Sequence, residues 1–243
     1  MLDSRFISKI RLERPEKAEG HPWDIPSLAS LEELEFHPGL TFFIGENGSG
    51  KSTLLEALAV AAGLNAEGGS QQHRFSTRDT HSTLHAHLQL VRGWKRPKER
   101  FFLRAESFYN TSSYFQDVGV INFPEMHGRS HGEAFLALMQ TLKPDGLYFF
   151  DEPESALSPQ RQLVFLTEMH RLIARGCQFV IATHSPILLC YRPCLCYHFS
   201  DEGIQPIDPR DSEHVSLTRS ILMNPDQALK HLKSPPRQTE ASP

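Results

Sequence analysis

One nine-residue segment has the residue types and the spacing of a phosphate-binding loop. It follows the apolar run Leu40 to Ile44, and glycines at its first, fourth and sixth positions allow backbone N–H groups to turn inward around phosphate oxygens. Lys51 can reach the β and γ phosphates, the Ser52 hydroxyl can ligate Mg²⁺, and the next helix adds the positive end of its dipole. The segment predicts a nucleoside triphosphate site formed by Gly45, Glu46, Asn47, Gly48, Ser49, Gly50, Lys51, Ser52 and Thr53.

A second apolar run ends in two adjacent acids. Asp151 and Glu152 follow Gly146 to Phe150 and precede a proline. A strand that ends in this way can place Asp151 beside Mg²⁺ and Glu152 next to the water that attacks the γ phosphate. Two neighbouring acids repel each other, and a divalent cation would offset that repulsion. We therefore predict Ser52 and Asp151 as magnesium ligands, and Lys51 and Glu152 as catalytic residues.

The elements that must position these residues alternate between strands and helices. Predicted strands are Ser4–Leu12, Leu31–Phe36, Leu40–Ile44, Leu84–Val91, Arg100–Arg104, Gly146–Phe150, Gln178–Ala182 and Cys194–Phe199. Predicted helices are Leu54–Ala62, Ser107–Gly119, Glu133–Leu142 and Pro159–Arg175. This alternation favours an α/β fold with a mostly parallel sheet that is covered on both faces.

The composition narrows the class of protein. The 243 residues are enough for one large domain, and 25 Lys and Arg against 29 Asp and Glu give a formal charge of −4. That balance excludes a globally basic nucleic-acid binder, but not a local basic patch. The sequence has no apolar stretch long enough to span a bilayer, and its N-terminus is charged where a signal peptide is apolar. We expect a cytoplasmic protein without membrane insertion.

Cysteines and histidines offer a weaker indication of a metal site. Cys190, Cys194 and Cys196 have spacings that differ from those of paired zinc knuckles, so we expect buried reduced thiols. His85 and His87 would share one face of a predicted strand, and the same segment is equally typical of a half-exposed strand without metal.

Three further segments make the chain resemble the ABC-type ATPases. Ser130-His131-Gly132-Glu133 is similar to the signature segment Ser-Gly-Gly-Gln of that family, with His131 in place of a glycine. Ser155-Ala156-Leu157-Ser158 resembles the D-loop, and Ala182-Thr183-His184-Ser185 resembles the segment of the switch histidine. The motifs occur in the order of the family, and the resemblance covers about residues 1–200.

Within that class, the chain is more similar to the heads of SMC-type and RecF-type proteins than to transporter subunits. It most resembles stand-alone predicted bacterial ATPases, often labelled AAA family, which carry a segment like Phe102 to Phe108. The resemblance implies a P-loop fold with a mostly parallel sheet, an antiparallel β portion and a small helical subdomain. One ATPase domain would cover residues 1–232, with the helical signature subdomain at about 107–143, and the polar, proline-rich residues 233–243 would form a disordered tail.

The resemblance also implies ligands, a partner and residue roles. The cofactors would be ATP and Mg²⁺, and the partner would be a second copy of the chain. Ser130 and Gly132 of one copy would meet the γ phosphate of ATP held by the other, in a head-to-tail homodimer with two ATP molecules. His184 would act as a catalytic residue that holds the γ phosphate or the attacking water.

Two assignments stay open at the level of the sequence. The glutamine that touches Mg²⁺ in the family has no evident counterpart; Glu106 is our candidate metal ligand, with a solvated carboxylate as the alternative. Trp23 or Phe6 offers an aromatic face for adenine, or each is packed in the core.

The process driven by hydrolysis has three candidate forms. The closing dimer would clamp DNA or a nuclease in repair or anti-phage defence, or it would act as an ATP-gated switch that docks an effector protein. A motor subunit of a transporter fits the motifs least. The residues that could contact nucleic acid form one basic cluster with two aromatics: Arg92, Trp94, Lys95, Arg96, Lys98, Arg100 and Phe101.

Overall fold

Two β-sheets organise the part of the chain that the structure describes. The computed structural model describes residues 5–66, 68–70, 82–104, 131–227 and 230, with the backbone alone for 70 and 131. The strands are β1 (Ile7–Leu12), β2 (Glu33–Glu35), β3 (Leu40–Gly45), β4 (Gly69–Ser70), β5 (Leu88–Arg92), β6 (Glu99–Arg104), β7 (Gly146–Asp151), β8 (Gln178–Ala182), β9 (Leu195–Ser200) and β10 (Gly203–Pro206). The α-helices are α1 (Pro26–Ala29), α2 (Lys51–Ala61), α3 (His131–Thr141), α4 (Pro159–Ile173) and α5 (Glu213–Met223).

The larger sheet is mostly parallel. Among the described residues its order is β10-β9-β3-β8-β7-β6-β4, in which β9, β3, β8, β7 and β6 run parallel, while β10 and β4 pair antiparallel at the edges. The smaller sheet, β2-β1-β5, is antiparallel. The predicted α/β class, with a mostly parallel sheet and an antiparallel portion, is confirmed.

The three central strands carry the residues of the site at their carboxyl ends. Every residue of β3, β7 and β8 is buried, because their continuous apolar sequences are covered on both faces. The phosphate loop follows β3, the acidic pair ends β7, and the segment of His184 follows β8. In parallel strands these ends meet at one edge of the sheet, so residues distant in sequence are brought together.

Each face of the larger sheet packs against its own apolar core. One core lies under α2 and the small sheet, with Ile7, Ile10, Leu54, Leu55 and Leu58 among its residues. The other core lies under α3 and α4, with Phe135, Leu138, Phe150, Phe165 and Met169 among its residues.

Gln178 joins the two sheets. This side chain, at the start of β8, is almost fully buried. Its Oε1 accepts hydrogen bonds from the backbone N–H groups of Phe6 (3.1 Å) and Ile7 (3.0 Å). Its Nε2 donates to the carbonyls of Ile7 (2.8 Å) and His37 (3.0 Å). One amide therefore satisfies four backbone groups between β8 and the entrance to β1.

The structure corrects one predicted strand. Leu84–Val91 was expected to be extended, but Thr83–His87 form a 3₁₀ turn and the strand begins at Leu88. The Ser82 hydroxyl accepts a hydrogen bond from the N–H of Leu84 at 3.2 Å, which favours a tight turn over an extended chain. His85 and His87 therefore do not share a strand face.

The remaining differences are smaller. The strand predicted over Leu31–Phe36 covers only Glu33–Glu35, and the sequence analysis did not predict β4, β10 or α5. All four cysteines are free thiols; Cys177 and Cys196 are buried, but Cys190 is exposed, against the expectation. The predicted helix Ser107–Gly119 and the predicted tail lie outside the described residues.

Candidate functional site

The phosphate loop has a backbone that only its glycines permit. Gly45, Gly48 and Gly50 have φ angles of 143°, 81° and 96°. At Gly45, a Cβ would lie 2.3 Å from the carbonyl oxygen of Phe199 in β9. At Gly50, it would lie 2.8 Å from a methyl group of Ile25. The loop is therefore held tightly between β9 and the segment before α1.

Lys51 is folded over this loop. Its side chain is only 4% exposed, and its ammonium donates to the carbonyls of Gly45 (2.9 Å) and Glu46 (2.7 Å). Burial lowers the pKa of Lys51, and nearby carboxylates, Glu152 foremost, act against that shift. Lys51 also lines the cavity above the loop, where a cation suits a phosphate group.

Ser52 and Asp151 contact each other across the site. The Ser52 hydroxyl donates to Asp151 Oδ1 at 2.9 Å, although the two residues are far apart in sequence. Asp151 is 5% exposed, and burial raises the pKa of its carboxyl, which the charge of Arg104 partly opposes. Arg104, the last residue of β6, lies 3.3 Å from Asp151 Oδ2 and 2.8 Å from Glu56.

This pair fits a magnesium ion. A hydroxyl and a carboxylate are the hard oxygen ligands that Mg²⁺ prefers. Because burial disfavours the charged form of Asp151, a bound cation would stabilise that carboxylate in the form that ligates metal. Within the described part of the chain, no group of three or more His, Cys, Asp or Glu residues is placed to hold a metal ion.

Glu152 faces the cavity that Lys51 and Ser52 line. Its backbone is left-handed, with φ 48° and ψ 52°, and its N–H donates to the carbonyl of Ala182 at 2.9 Å. A left-handed non-glycine residue is unusual and is found often at functional sites. The cavity has a volume of about 490 Å³, and its lining is His21, Ile25, Asn47, Gly48, Gly50, Lys51, Ser52, Thr53 and Glu152.

His184 lies beside Glu152. Its Nε2 is 3.5 Å from Glu152 Oε1, and its backbone N–H donates to Glu154 Oε1 at 2.6 Å. Burial, with smaller contributions from Lys51 and His214, lowers the pKa of His184 to about 4. The ring is therefore neutral at pH 7 and can share a hydrogen with a phosphate oxygen or with water.

The structure brings Lys51, Ser52, Asp151, Glu152 and His184 together at one edge of the sheet. Of the other predicted residues, Ser130 and Glu106 lie outside the described residues. Gly132 lies instead near the start of α3, where a Cβ would meet Arg161 at 2.7 Å and the Ala156 carbonyl at 3.1 Å.

The two aromatic candidates for adenine stacking are packed in the core. Phe6 is almost fully buried and Trp23 is 8% exposed. Trp23 contacts the ring of His87 edge to face, with 5.2 Å between centroids, and Arg14 lies over its face. His21, unlike these two rings, is among the residues that line the cavity of about 490 Å³.

Sequence reasoning missed four residues of the site: His21, Arg104, Glu154 and His214. Glu154 was open to prediction, because it lies two residues after the acidic pair and would follow it around the same turn. The others act through contacts between distant segments, and no local spacing indicates them.

Two segments of the chain match family models of known proteins. Residues 25–105, which include the phosphate loop, match a family model described as an AAA domain. Residues 133–189, which include the acidic pair and His184, match a model described as "AAA domain, putative AbiEii toxin, Type IV TA system". No curated protein sequence matches the chain significantly.

The fold is similar to solved structures. The structure of cbiO1 from Clostridium perfringens, described as part of the ABC transporter complex cbiONQ, aligns with a TM-score of 0.51 at 14% identity, covering 94% of this chain and 98% of that one. The SMC head domain from Thermotoga maritima aligns with a TM-score of 0.48 at 16% identity, covering 83% of this chain and 98% of that one.

The chain has a mostly parallel α/β fold similar to that of an ABC transporter ATPase component, and two of its segments match AAA-domain models. The two segments matched by AAA models carry all five of the residues that the structure brings together. Among the described residues, every helix is too short or too polar to cross a membrane.

Proposed function

We propose that this protein binds Mg·ATP and hydrolyses it, and that two copies close head to tail around two ATP molecules. The observation that carries the proposal is the meeting of three strand ends: the Ser52–Asp151 contact and the Glu152–His184 pair lie beside a glycine-rich loop that lines a cavity of about 490 Å³. Few other chemistries require a cation, a hydroxyl and two acids in this order around a phosphate loop.

Each side chain has a task in this reaction. Lys51 and the loop N–H groups stabilise negative charge on the transferred phosphate. Ser52 and Asp151 would hold Mg²⁺, which supplies Lewis-acid stabilisation of phosphate oxygens when it is bound. Glu152 orients the attacking water or accepts its proton, and His184 holds the γ phosphate or that water.

The position of α3 supports the proposed dimer. Gly132 packs against the Ala156 carbonyl, so the start of the signature helix lies next to the segment Ser155 to Ser158. Ser155 and Ser158 are exposed, and no described residue of α3 lines the cavity of its own chain. The absence of the described α3 residues from their own cavity is consistent with a helix whose preceding signature segment completes the site of a second copy.

Glu152→Gln tests hydrolysis and dimer formation together. The amide keeps the size of the side chain but cannot accept a proton, so we expect turnover to fall at least about 100-fold while ATP still binds. The variant should then accumulate an ATP-bound dimer, measured by light scattering after size exclusion. Glu202→Gln, at an exposed position outside the cavity, is the matched control.

Lys51→Ala completes the test and should abolish measurable ATP binding by calorimetry. Near-normal hydrolysis by Glu152→Gln would refute its assignment, and unchanged ATP affinity in Lys51→Ala would remove the phosphate loop from the proposal. If Glu152→Gln stays monomeric at saturating Mg·ATP, the proposed dimer is excluded, whereas the proposed ATP site is not affected.

A second candidate function is contact with nucleic acid, in a role in repair or anti-phage defence. Arg92, Trp94, Arg96 and Lys98 are exposed at alternate positions from the end of β5, and Trp94 is 66% exposed. An aromatic face between cations suits stacked bases with phosphates on either side. Part of the basic cluster is engaged within the protein: Lys95 and Lys98 both pair with Asp145, and Arg92 donates to the Ala61 carbonyl at 3.3 Å.

The double variant Trp94→Ala/Arg96→Glu tests this surface without breaking the internal contacts. We expect a mobility shift of a single-stranded oligonucleotide at low salt, weakened about tenfold or more in the variant. Arg219→Glu, an exposed charge reversal on α5, is the control. Equal binding by the variant, or no binding by the unmodified protein at low salt, would exclude the surface and favour a protein-binding switch.

A further inference from the structure

Helix α5, beyond the last motif of the sequence, reaches the catalytic edge. His214, the second residue of α5, lies against His184 with 5.1 Å between ring centroids and 85° between ring planes. This is an edge-to-face contact, the arrangement that aromatic rings favour. Glu213, one residue earlier, lines a separate cavity of about 380 Å³ together with Asn47, Gly48 and Ser49 of the phosphate loop. The first turn of α5 thus contacts His184 and also lines a cavity next to the phosphate loop.

The position of His214 is fixed by the turn that precedes it. Ser212 is buried, accepts a hydrogen bond from the N–H of Val215 at 3.4 Å and donates to the Pro209 carbonyl at 2.6 Å. Asp208, just before Pro209, pairs with Arg192 at 2.7 Å. Arg192 belongs to the segment that follows His184. The turn before α5 and His214 in α5 therefore both contact the segment that begins at His184.

His184 is held from three directions by these contacts. Glu154 accepts its backbone N–H at 2.6 Å, Glu152 lies 3.5 Å from its Nε2, and His214 covers its ring from the α5 side. Its Nε2 is buried and makes no well-formed hydrogen bond within the described protein. The buried Nε2 of His184 therefore has a free hydrogen-bonding position near Glu152. A ligand atom could fill that position if the ring is held at the correct angle.

From this geometry we propose that His214 is a positioning residue: it fixes the ring of His184 for ATP hydrolysis and makes the first turn of α5 part of the catalytic apparatus. The inference depends on the proposed ATPase function. His214 is not among the residues that line the cavity of about 490 Å³; it acts through His184. Removal of its ring leaves the cavity and the phosphate loop in place but frees the His184 ring to rotate.

Three variants separate positioning from structural support. His214→Ala removes the ring, His214→Phe keeps an aromatic edge without ring nitrogens, and Leu217→Ala alters an exposed residue of the same helix as the control. We expect His214→Ala to lower kcat about tenfold, because a misplaced catalytic group costs rate, with KM for ATP changed by less than about twofold. His214→Phe should recover most of the loss, and Leu217→Ala should match the unmodified protein.

A double-variant cycle supplies the readout that a merely structural role would not change. In a His184→Ala background, His214→Ala should have no further effect on kcat, because it acts only through His184. In parallel, the NMR signals of the His184 ring should shift in His214→Ala, since the neighbouring ring is lost; this measurement does not need hydrolysis.

The outcomes distinguish the two proposals. An unmodified protein that binds but never hydrolyses ATP would overturn the proposed function, and this inference with it. If the unmodified protein is active, any of three results would overturn this inference alone. These are a normal kcat in His214→Ala, a loss of kcat in His214→Phe equal to that in His214→Ala, or a further loss of kcat when His214→Ala is added to His184→Ala.

Discussion

A side chain at position 45 would overlap with the backbone of β9. The Cβ would lie 2.3 Å from the Phe199 carbonyl oxygen and 3.0 Å from Ser49 Oγ, and the φ angle of 143° is unfavourable for any L side chain. Position 48 in the same loop has a positive φ of 81° but open space around it. Substitutions at these two positions therefore separate the cost of backbone strain from the cost of steric overlap.

We expect Gly45→Ala to lower the free energy of unfolding by about 3 kcal/mol, the sum of backbone strain and overpacking. Gly48→Ala should cost only about 1 kcal/mol, from strain alone. Chemical denaturation of both variants measures the difference. Equal losses would show that the approach of β9 to the loop is looser than the structure indicates.

The predicted residues that the structure brings together are those whose chemistry follows a local pattern. Ser52 and Asp151 were paired on their types and flanking strands alone, and they do contact each other at 2.9 Å. His21 and Arg104 were missed because their relation to the site depends on how distant segments fold back. Trp23 offered the right ring for adenine, but ring type does not tell whether the surface is exposed.

At the scale of elements, one side chain carries the junction between the two sheets. Gln178 serves two backbone N–H groups and two carbonyls at 2.8 to 3.1 Å. Removal of a buried partner leaves each of these groups without compensation, at about 1 kcal/mol or more apiece.

We expect Gln178→Leu to lower the free energy of unfolding by about 3 kcal/mol or more, because several buried backbone groups lose their partner at once. Gln205→Leu, at an exposed position on β10, should stay within about 0.5 kcal/mol of the unmodified protein. Thermal or urea unfolding of the two variants makes the comparison. Similar stabilities would mean that water replaces the amide at this junction.

Strands were predicted correctly where every residue is buried. The prediction was wrong where a local polar contact determines the backbone conformation. The apolar runs at β3, β7 and β8 were found almost to the residue, because only a strand covered on both faces needs such sequences. The Thr83–His87 turn alternates like a strand, yet the cap at Ser82 holds it closed. Helix α5 was missed because none of its residues is buried, so it has no strong apolar face toward the core.

At the scale of the whole molecule, alternation of strands and helices predicted the class of fold correctly. It could not predict the order of the strands, because the insertion of β3 between β9 and β8 depends on which crossovers pack best. The expected nucleotide edge follows from that order, since β3, β8 and β7 are neighbours in the sheet.

The larger sheet separates the two cores completely enough to have a mechanical consequence. Helix α2 packs in the core on one face, whereas α3 and α4 pack in the core on the other. A shift of α3 or α4 therefore reaches the phosphate loop through the sheet that lies between the two cores. Three of its strands pack against α3 and α4 and end at the site: β3, which leads into the phosphate loop, β7, which ends at Asp151, and β8, which ends at Ala182.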